Sequence, residues 1–145
     1  MAITTNAICN TFKKELLEAT HNFKNPGGNT FKLAMYTNSA TLGKSTTSFT
    51  TGNEVSSPSG YSSGGKALVN VGTSLATNTA ITDFADLSFT GVTLTARGAL
   101  IYNDTATGDP AVAVLDFGGD KTATSGTFTI QFPAFTTSAA ILRIA

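Results

Sequence analysis

Residues 92–102 read Val-Thr-Leu-Thr-Ala-Arg-Gly-Ala-Leu-Ile-Tyr, and apolar and polar side chains alternate along them. A period of two is that of a β-strand with one buried face. The pattern recurs in Phe128–Phe132, and strand-forming residues continue through Ala139–Ile144. The side chains expected to meet water are mostly Thr, Ser and Ala rather than Lys and Glu. The sequence therefore predicts a sheet whose outer surface is weakly solvated and can pack against other protein surfaces.

The composition limits the classes of partner. Only 12% of the 145 residues are charged and the net charge is zero, against a usual charged share of about 25%. No basic cluster is available to neutralise phosphates, so nucleic-acid binding is not expected. No apolar run approaches the roughly 18 residues of a membrane span, and the N-terminus lacks the order of a signal peptide. We therefore expect a chain that is made in a cytoplasm and binds no membrane.

The first part of the chain carries the periodicity of an amphipathic helix, predicted over about residues 5–24. Its apolar residues recur every three or four positions, at Ile8, Phe12, Leu16, Ala19 and Phe23. We expect this stripe to be buried against a sheet of the same chain; the alternative is that it faces a neighbouring subunit or another protein surface. Four charged residues of the segment should lie largely in solvent, namely Lys13, Lys14, Glu15 and Glu18. The lone cysteine, Cys9, should pack as a small apolar group on the helix.

The remainder, about residues 30–145, predicts a β body within a single domain of residues 1–145. About seven strands are expected: Thr30–Tyr36, Ala67–Leu75, Ile81–Phe89, Val92–Asn103, Ala111–Phe117, Thr127–Phe132 and Ala139–Ile144. Turn signals separate the later strands, at residues 90–91, 104–110, 118–120 and 124–126. Residues 38–63 predict a long loop that leaves the body and contacts a partner. The fold class is mainly β, an antiparallel β-sandwich or jelly-roll-like barrel with one N-terminal helix packed on it.

No arrangement of residues predicts a chemical reaction. Residues 60–67 nearly spell a phosphate-binding loop, but Ala67 stands where Ser or Thr should hold magnesium, and a strand follows instead of a helix. The acidic residues near the later turns form no calcium-binding loop. His21 is the only histidine, so a Ser-His-Asp triad has no support, and we expect it to face solvent near the end of the helix. The sequence thus predicts no enzyme, no cofactor and no metal site.

Three residues are candidates for contacts with a partner. Arg97 and Arg143 lie inside predicted strands that are otherwise faced with Thr and Ala. Each arginine either forms an internal bridge, with Asp116 as one possible acceptor, or contacts another subunit. Tyr61, in a loop rich in Ser and Gly, is the best-placed aromatic residue for stacking on a carbohydrate.

Four segments together carry a resemblance to a known group of proteins. They are MAITTNAICNTFK at residues 1–13, TFKLAMYT at 30–37, ARGALIYN at 96–103 and AVAVLDFG at 111–118. In these segments, and over most of its length, the chain resembles small β-rich structural proteins of tailed bacteriophages.

The resemblance implies a virion component that is assembled in the cytoplasm of a bacterial host. Within that group it favours a capsid decoration, or cement, protein on the capsid surface. Its expected partners are the major capsid protein and further copies of the chain in a homo-oligomer. Two alternatives stay open, a tail or tail-associated component and a β-sandwich carbohydrate-binding module. The resemblance assigns no function to any individual residue of this sequence.

Overall fold

The computed structural model describes residues 3–145, which form two antiparallel sheets and one short helix. The elements are β1 (Ala7–Ile8), α1 (Asn10–Leu17), β2 (Phe31–Tyr36), β3 (Lys66–Ala67), β4 (Asn70–Ala76), β5 (Thr79–Phe84), β6 (Leu87–Asn103), β7 (Ala111–Ile130) and β8 (Leu142–Ile144). The large sheet has the strand order β1-β7-β6-β2-β3, and the small sheet has the order β4-β5-β8. The predicted mainly β, antiparallel and sandwich-like fold is confirmed.

A long hairpin of β6 and β7 forms the centre of the large sheet. Four stretches predicted as separate strands merge into these two, because three of the predicted turns lie inside strands. The register shifts beside Gly91 and again between Ala96 and Gly98, so bulges accommodate residues that sequence patterns assign to turns. Only the predicted turn at residues 104–110 connects the two strands.

Two other predicted strands are each divided. The stretch predicted as Ala67–Leu75 becomes β3 and β4, because Leu68 turns inward and its N–H donates to Phe31 O. The stretch predicted as Ile81–Phe89 breaks at residues 85–86 and gives one strand to each sheet. The chain therefore passes from the small sheet to the large sheet at this break.

The long loop does not leave the body as predicted. Tyr36 bridges to Glu54 and Ser48 bridges to Pro110, and Val55 N–H donates to Met35 O at 2.9 Å. Val55 is itself buried in the core. The loop therefore lies along the large sheet and does not leave the body, although most of its residues are exposed as predicted. Its contact with a partner stays a prediction.

Helix α1 is much shorter than the predicted residues 5–24. It begins late because the preceding residues are extended: Ala7 and Ile8 pair with β7, and Cys9 N–H donates to Val112 O. It ends at Leu17 because Ala19 adopts a left-handed conformation, with φ of 60°. Ala19 N–H then donates to Leu16 O and Thr20 N–H to Glu15 O, which is a Schellman ending.

The predicted apolar stripe is confirmed only in part. Phe12 and Phe23 are buried, Ile8 and Leu16 are half-buried, and Ala19 is exposed because the helix has already ended there. Of the four residues expected in solvent, Glu15 is instead half-buried.

The predictions for Cys9 and His21, two residues near the helix, have different outcomes. Cys9 is buried as predicted, although it precedes the helix, and burial raises the pKa of its thiol to about 11. His21 is also buried, with 5% of its surface exposed, so the prediction of a solvent-facing histidine was wrong. Asn103 on β6 and the rings of Phe12 and Phe31 enclose it.

Candidate interaction surface

The outer face of the β6–β7 hairpin is rich in hydroxyl side chains. Hydroxyl groups meet across the two strands, with Ser88 Oγ 2.9 Å from Thr129 Oγ1 and Thr95 Oγ1 2.8 Å from Thr122 Oγ1. Ser125 N–H donates to Thr93 Oγ1 at 2.9 Å. These bonds engage five hydroxyl groups within the sheet, and each such bond lowers the cost of removing water from that part of the face.

The small sheet carries the exposed apolar surface of the molecule. Among residues 3–145, six large hydrophobic side chains are exposed: Leu17, Val69, Val71, Leu75, Phe135 and Ile144. Four of the six lie in the small sheet or in the residue just before it, and none lies in the large sheet. The apolar exposure is therefore concentrated rather than scattered, which is the distribution that marks interaction sites.

One row of residues across the small sheet defines this surface. Leu75 pairs with Ala80, and Ala80 pairs with Ile144, so the three side chains share one face. Leu75 is 72% exposed and Ile144 is 59% exposed. We call Leu75, Ala80 and Ile144 the small-sheet patch.

An open groove of about 820 Å³ separates this face of the small sheet from helix α1. Phe12 and Leu16 line one wall, and Ala80, Leu142 and Ile144 line the other. The charged side chains on the lining are both cations, Lys13 and Arg143. The small-sheet patch thus continues into an apolar groove that Lys13 and Arg143 also line.

Arg97 acts inside the chain. Its Nε and Nη2 atoms donate to Ile3 O at 3.0 and 2.8 Å, and Nη2 lies 3.4 Å from Asp116 Oδ1. Of the two interpretations of this arginine, the geometry matches the internal bridge. The guanidinium group fixes the N-terminal segment to the hairpin, and Ile3 is fully buried as a result.

Arg143 differs from Arg97 because its side chain is exposed. Its Nη1 atom donates to Thr137 O at 3.3 Å, and the residue lines the groove. Because this carbonyl is neutral, the positive charge of Arg143 remains available at the rim of the groove.

Tyr61 belongs to the interior. Its hydroxyl donates to Glu54 Oε1 at 2.7 Å and accepts from Met35 N–H at 2.9 Å, and its ring lies 5.3 Å from that of Phe89. Burial raises the pKa of this phenol far above its usual range, so the hydroxyl stays protonated. Such a ring has no open face for stacking on a sugar, and its role is to hold the loop that contains Glu54.

Neither a metal cluster nor a membrane helix is found among residues 3–145. No group of three or more His, Cys, Asp or Glu side chains converges there in a way that could hold a metal ion. In the same part of the chain no helix has the length and apolar character that a bilayer crossing requires.

Sequence reasoning missed the small-sheet patch. Leu75 and Ile144 were predicted in strands, but alternation alone does not tell which face of a strand is covered. The one available signal was the absence of charged residues from positions 70–82. Edge strands commonly carry a charged residue, often lysine, that prevents contact with other chains. Comparison of the chain with protein-family models, curated protein sequences and solved structures finds no match.

Proposed function

We propose that this chain is a structural protein of a tailed-phage virion, a decoration protein that binds the assembled capsid and reinforces it. The observation that carries the proposal is the concentration of exposed apolar residues on the small sheet, among them Leu75 and Ile144 of the small-sheet patch. Covering such a surface with another protein removes apolar area from water and is favourable. The resemblance of four segments to phage structural proteins supplies the class of partner.

The low charge of the surface fits this role. A protein that covers a shell packs beside its own copies, and dense like charges would oppose that packing. Here β4 carries no charged residue, and the outer face of the hairpin is dominated by Thr and Ser. Each copy then needs only modest affinity, because an oligomer that contacts the shell at several points gains avidity.

The first experiment asks where the protein resides. Particles of the phage that encodes the chain are purified, and its copy number and position are measured by quantitative mass spectrometry and electron cryomicroscopy. We expect many copies distributed over the whole head, and heads that lack the protein should break at lower temperature. A few copies at one vertex would assign the protein to the tail instead. Absence from mature particles would refute a virion role.

The second experiment asks which surface makes the contact. Leu75→Glu places a charge on the small-sheet patch, and because Leu75 is 72% exposed the variant should melt like the wild type. Binding of the labelled variant to heads stripped of the protein should weaken about tenfold or more, since a buried Leu contributes roughly 1.5–3 kcal/mol. Thr124→Glu, on the exposed face of β7, is the matched control and should bind normally. Equal binding by both variants would exclude the small-sheet patch as the contact.

A further inference from the structure

The only histidine of the chain is held in an aromatic enclosure between the end of α1 and the large sheet. The ring centre of His21 lies 4.9 Å from that of Phe12, 6.2 Å from that of Phe31 and 6.5 Å from that of Phe23. An imidazolium ion in such surroundings loses most of its hydration, which disfavours the charged form.

The hydrogen bonds of Asn103 determine which end of its side-chain amide, the oxygen or the nitrogen, points to the histidine. Asn103 Oδ1 accepts from the backbone N–H groups of Thr105 and Ala106, at 3.0 and 3.2 Å. The amide oxygen is therefore committed to that turn, and Nδ2 points the other way. Asn103 Nδ2 donates to Asn29 Oδ1 at 2.9 Å and to Thr20 O at 3.4 Å, and it lies 3.2 Å from His21 Nδ1.

This arrangement assigns the proton of the imidazole. Because Asn103 Nδ2 carries only donor hydrogens and cannot accept one, this contact favours the tautomer in which His21 Nδ1 carries no hydrogen. The single proton of the neutral ring is then on Nε2, which lies 3.4 Å from Glu15 Oε1. A second proton on Nδ1 would point at the hydrogens of the Asn103 amide, and the amide cannot rotate without breaking both bonds to the turn.

We propose that His21 is a pH-sensitive latch, whose neutral ring holds residues 20–23 and the end of α1 against the large sheet and whose protonation releases them. Glu15 on α1 is the titratable side chain that contacts the ring. The other groups packed on it are neutral: Phe12 on α1, Phe31 on β2, Asn103 on β6, and Phe23 and Asn29 in the connecting segment. The attraction of Glu15 for the charged ring is opposed by the larger effect of burial, and the pKa of His21 lies below its usual value.

The latch is tested by nuclear magnetic resonance, where a single histidine gives unambiguous ring signals. We expect the His21 ring to titrate with a midpoint below the usual 6.5. Through the same pH range, the amide protection factors of residues 20–23 should fall before those of the β6–β7 hairpin. A midpoint at or above 6.5, or protection of residues 20–23 that is unchanged by protonation, would refute the latch.

Two variants separate the latch from a general loss of structure. Glu15→Gln removes the one contact that favours the charged ring, so the midpoint should move to still lower pH. Lys14→Gln is the matched control, because Lys14 is exposed and pairs with Glu18 at 2.9 Å, and it should leave the midpoint unchanged. A third variant, Asn103→Asp, places an acceptor opposite Nδ1 and should raise the midpoint. If that variant does not fold, the contrast between Glu15→Gln and Lys14→Gln still decides, and equal midpoints in those two would refute the assigned geometry.

Discussion

At the scale of the residue, Ala19 is a position where local preference and structure disagree. Its φ of 60° at the end of α1 is a conformation that costs an L-amino acid roughly 1–2 kcal/mol and that glycine adopts freely. We therefore expect Ala19→Gly to raise the free energy of unfolding by about 1 kcal/mol, measured by urea denaturation. Ala134→Gly, at an exposed residue without positive φ, should instead destabilise slightly. A loss of stability in Ala19→Gly would contradict the left-handed conformation of residue 19 at the end of α1.

Single residues also show why burial is hard to predict from sequence. His21 and Tyr61 both stand in polar segments, and each was predicted to be accessible. Each is instead buried by partners distant in the chain, Asn103 for His21 and Met35 for Tyr61. No local pattern contains these pairings. Cys9 was predicted correctly because its small apolar side chain needs no specific partner.

At the scale of the element, the helix is held to the body mainly by one side chain. Phe12 is the buried residue of α1, and its ring contacts those of His21 and Phe23. We expect Phe12→Ala to reduce the free energy of unfolding by about 3–5 kcal/mol, as a large cavity in a packed core does. Leu17→Ala is the control on the same helix, and because Leu17 is 90% exposed it should change stability little. A near-normal thermal melt of Phe12→Ala would mean that the ring does not pack inside the isolated chain.

The β6–β7 hairpin depends on a close approach at Gly98. A Cβ atom there would collide with Leu115 O and lie 2.7 Å from Ile3 Cδ1. Gly98→Ala should therefore destabilise by about 1–3 kcal/mol, the usual cost of overpacking, as measured by chemical denaturation. Gly43→Ala is the control, since no atom lies within 4 Å of the added Cβ and its φ is not positive. Equal stability of the two variants would show that the N-terminal segment does not press on the hairpin.

The predicted and observed strands show where the alternation of apolar and polar residues succeeds as a predictor and where it fails. Alternation located β2 and both ends of the hairpin, since a period of two survives wherever one face is buried. It failed at the interior of β6 and β7, because Gly91 and Gly118 there have positive φ within strands rather than in turns. A bulge and a turn use the same residues, and only the pairing of the neighbouring strand distinguishes them.

At the scale of the whole molecule, the N-terminal segment closes the structure. Ile3 is fully buried beside Gly98, and Arg97 binds its carbonyl group, while β1 covers the edge of β7. We expect Ile3→Ala to cost about 2–5 kcal/mol in the free energy of unfolding, measured by urea denaturation. Thr4→Ala, at the next and exposed position, should be nearly neutral. Similar stability in the two variants would show that the segment does not seal the core.

The chemical character of the candidate surface could be predicted from the sequence, but its position could not. The low charge and the Thr-rich strands indicated a packing surface, and the exposed face of the hairpin has that character. The position of the small-sheet patch could not be predicted, because it depends on β8 joining β5 across more than fifty residues of chain. That pairing places Ile144 in one row with Leu75, and no local segment contains both.

The pH dependence of folding should report two buried groups that act in opposite directions. Burial raises the pKa of Asp83, whose Oδ2 atom has no hydrogen-bond partner among the described residues. The folded state then binds this proton more tightly than the unfolded state, so the contribution of Asp83 is greatest below about pH 3.9 and is lost as pH rises through its folded pKa. His21 has a lowered pKa, so its contribution is present above about pH 6.5 and is lost as pH falls toward its folded pKa.

Substitution of each group isolates its part of this profile. Between its unfolded and folded pKa values, each group changes the free energy of unfolding by up to about 1.4 kcal/mol per pH unit. Relative to the wild type, Asp83→Asn should therefore gain stability as pH rises above 4, because the variant no longer confines an ionised carboxylate. His21→Gln should show the reverse trend and gain relative stability as pH falls below 6.5. Urea denaturation at intervals from pH 3.5 to 8 measures both differences. Because the two trends have opposite signs, a change of stability with pH that is the same in both variants cannot arise from these groups. If the stability of Asp83→Asn follows pH in parallel with the wild type, this carboxyl is not shielded from water.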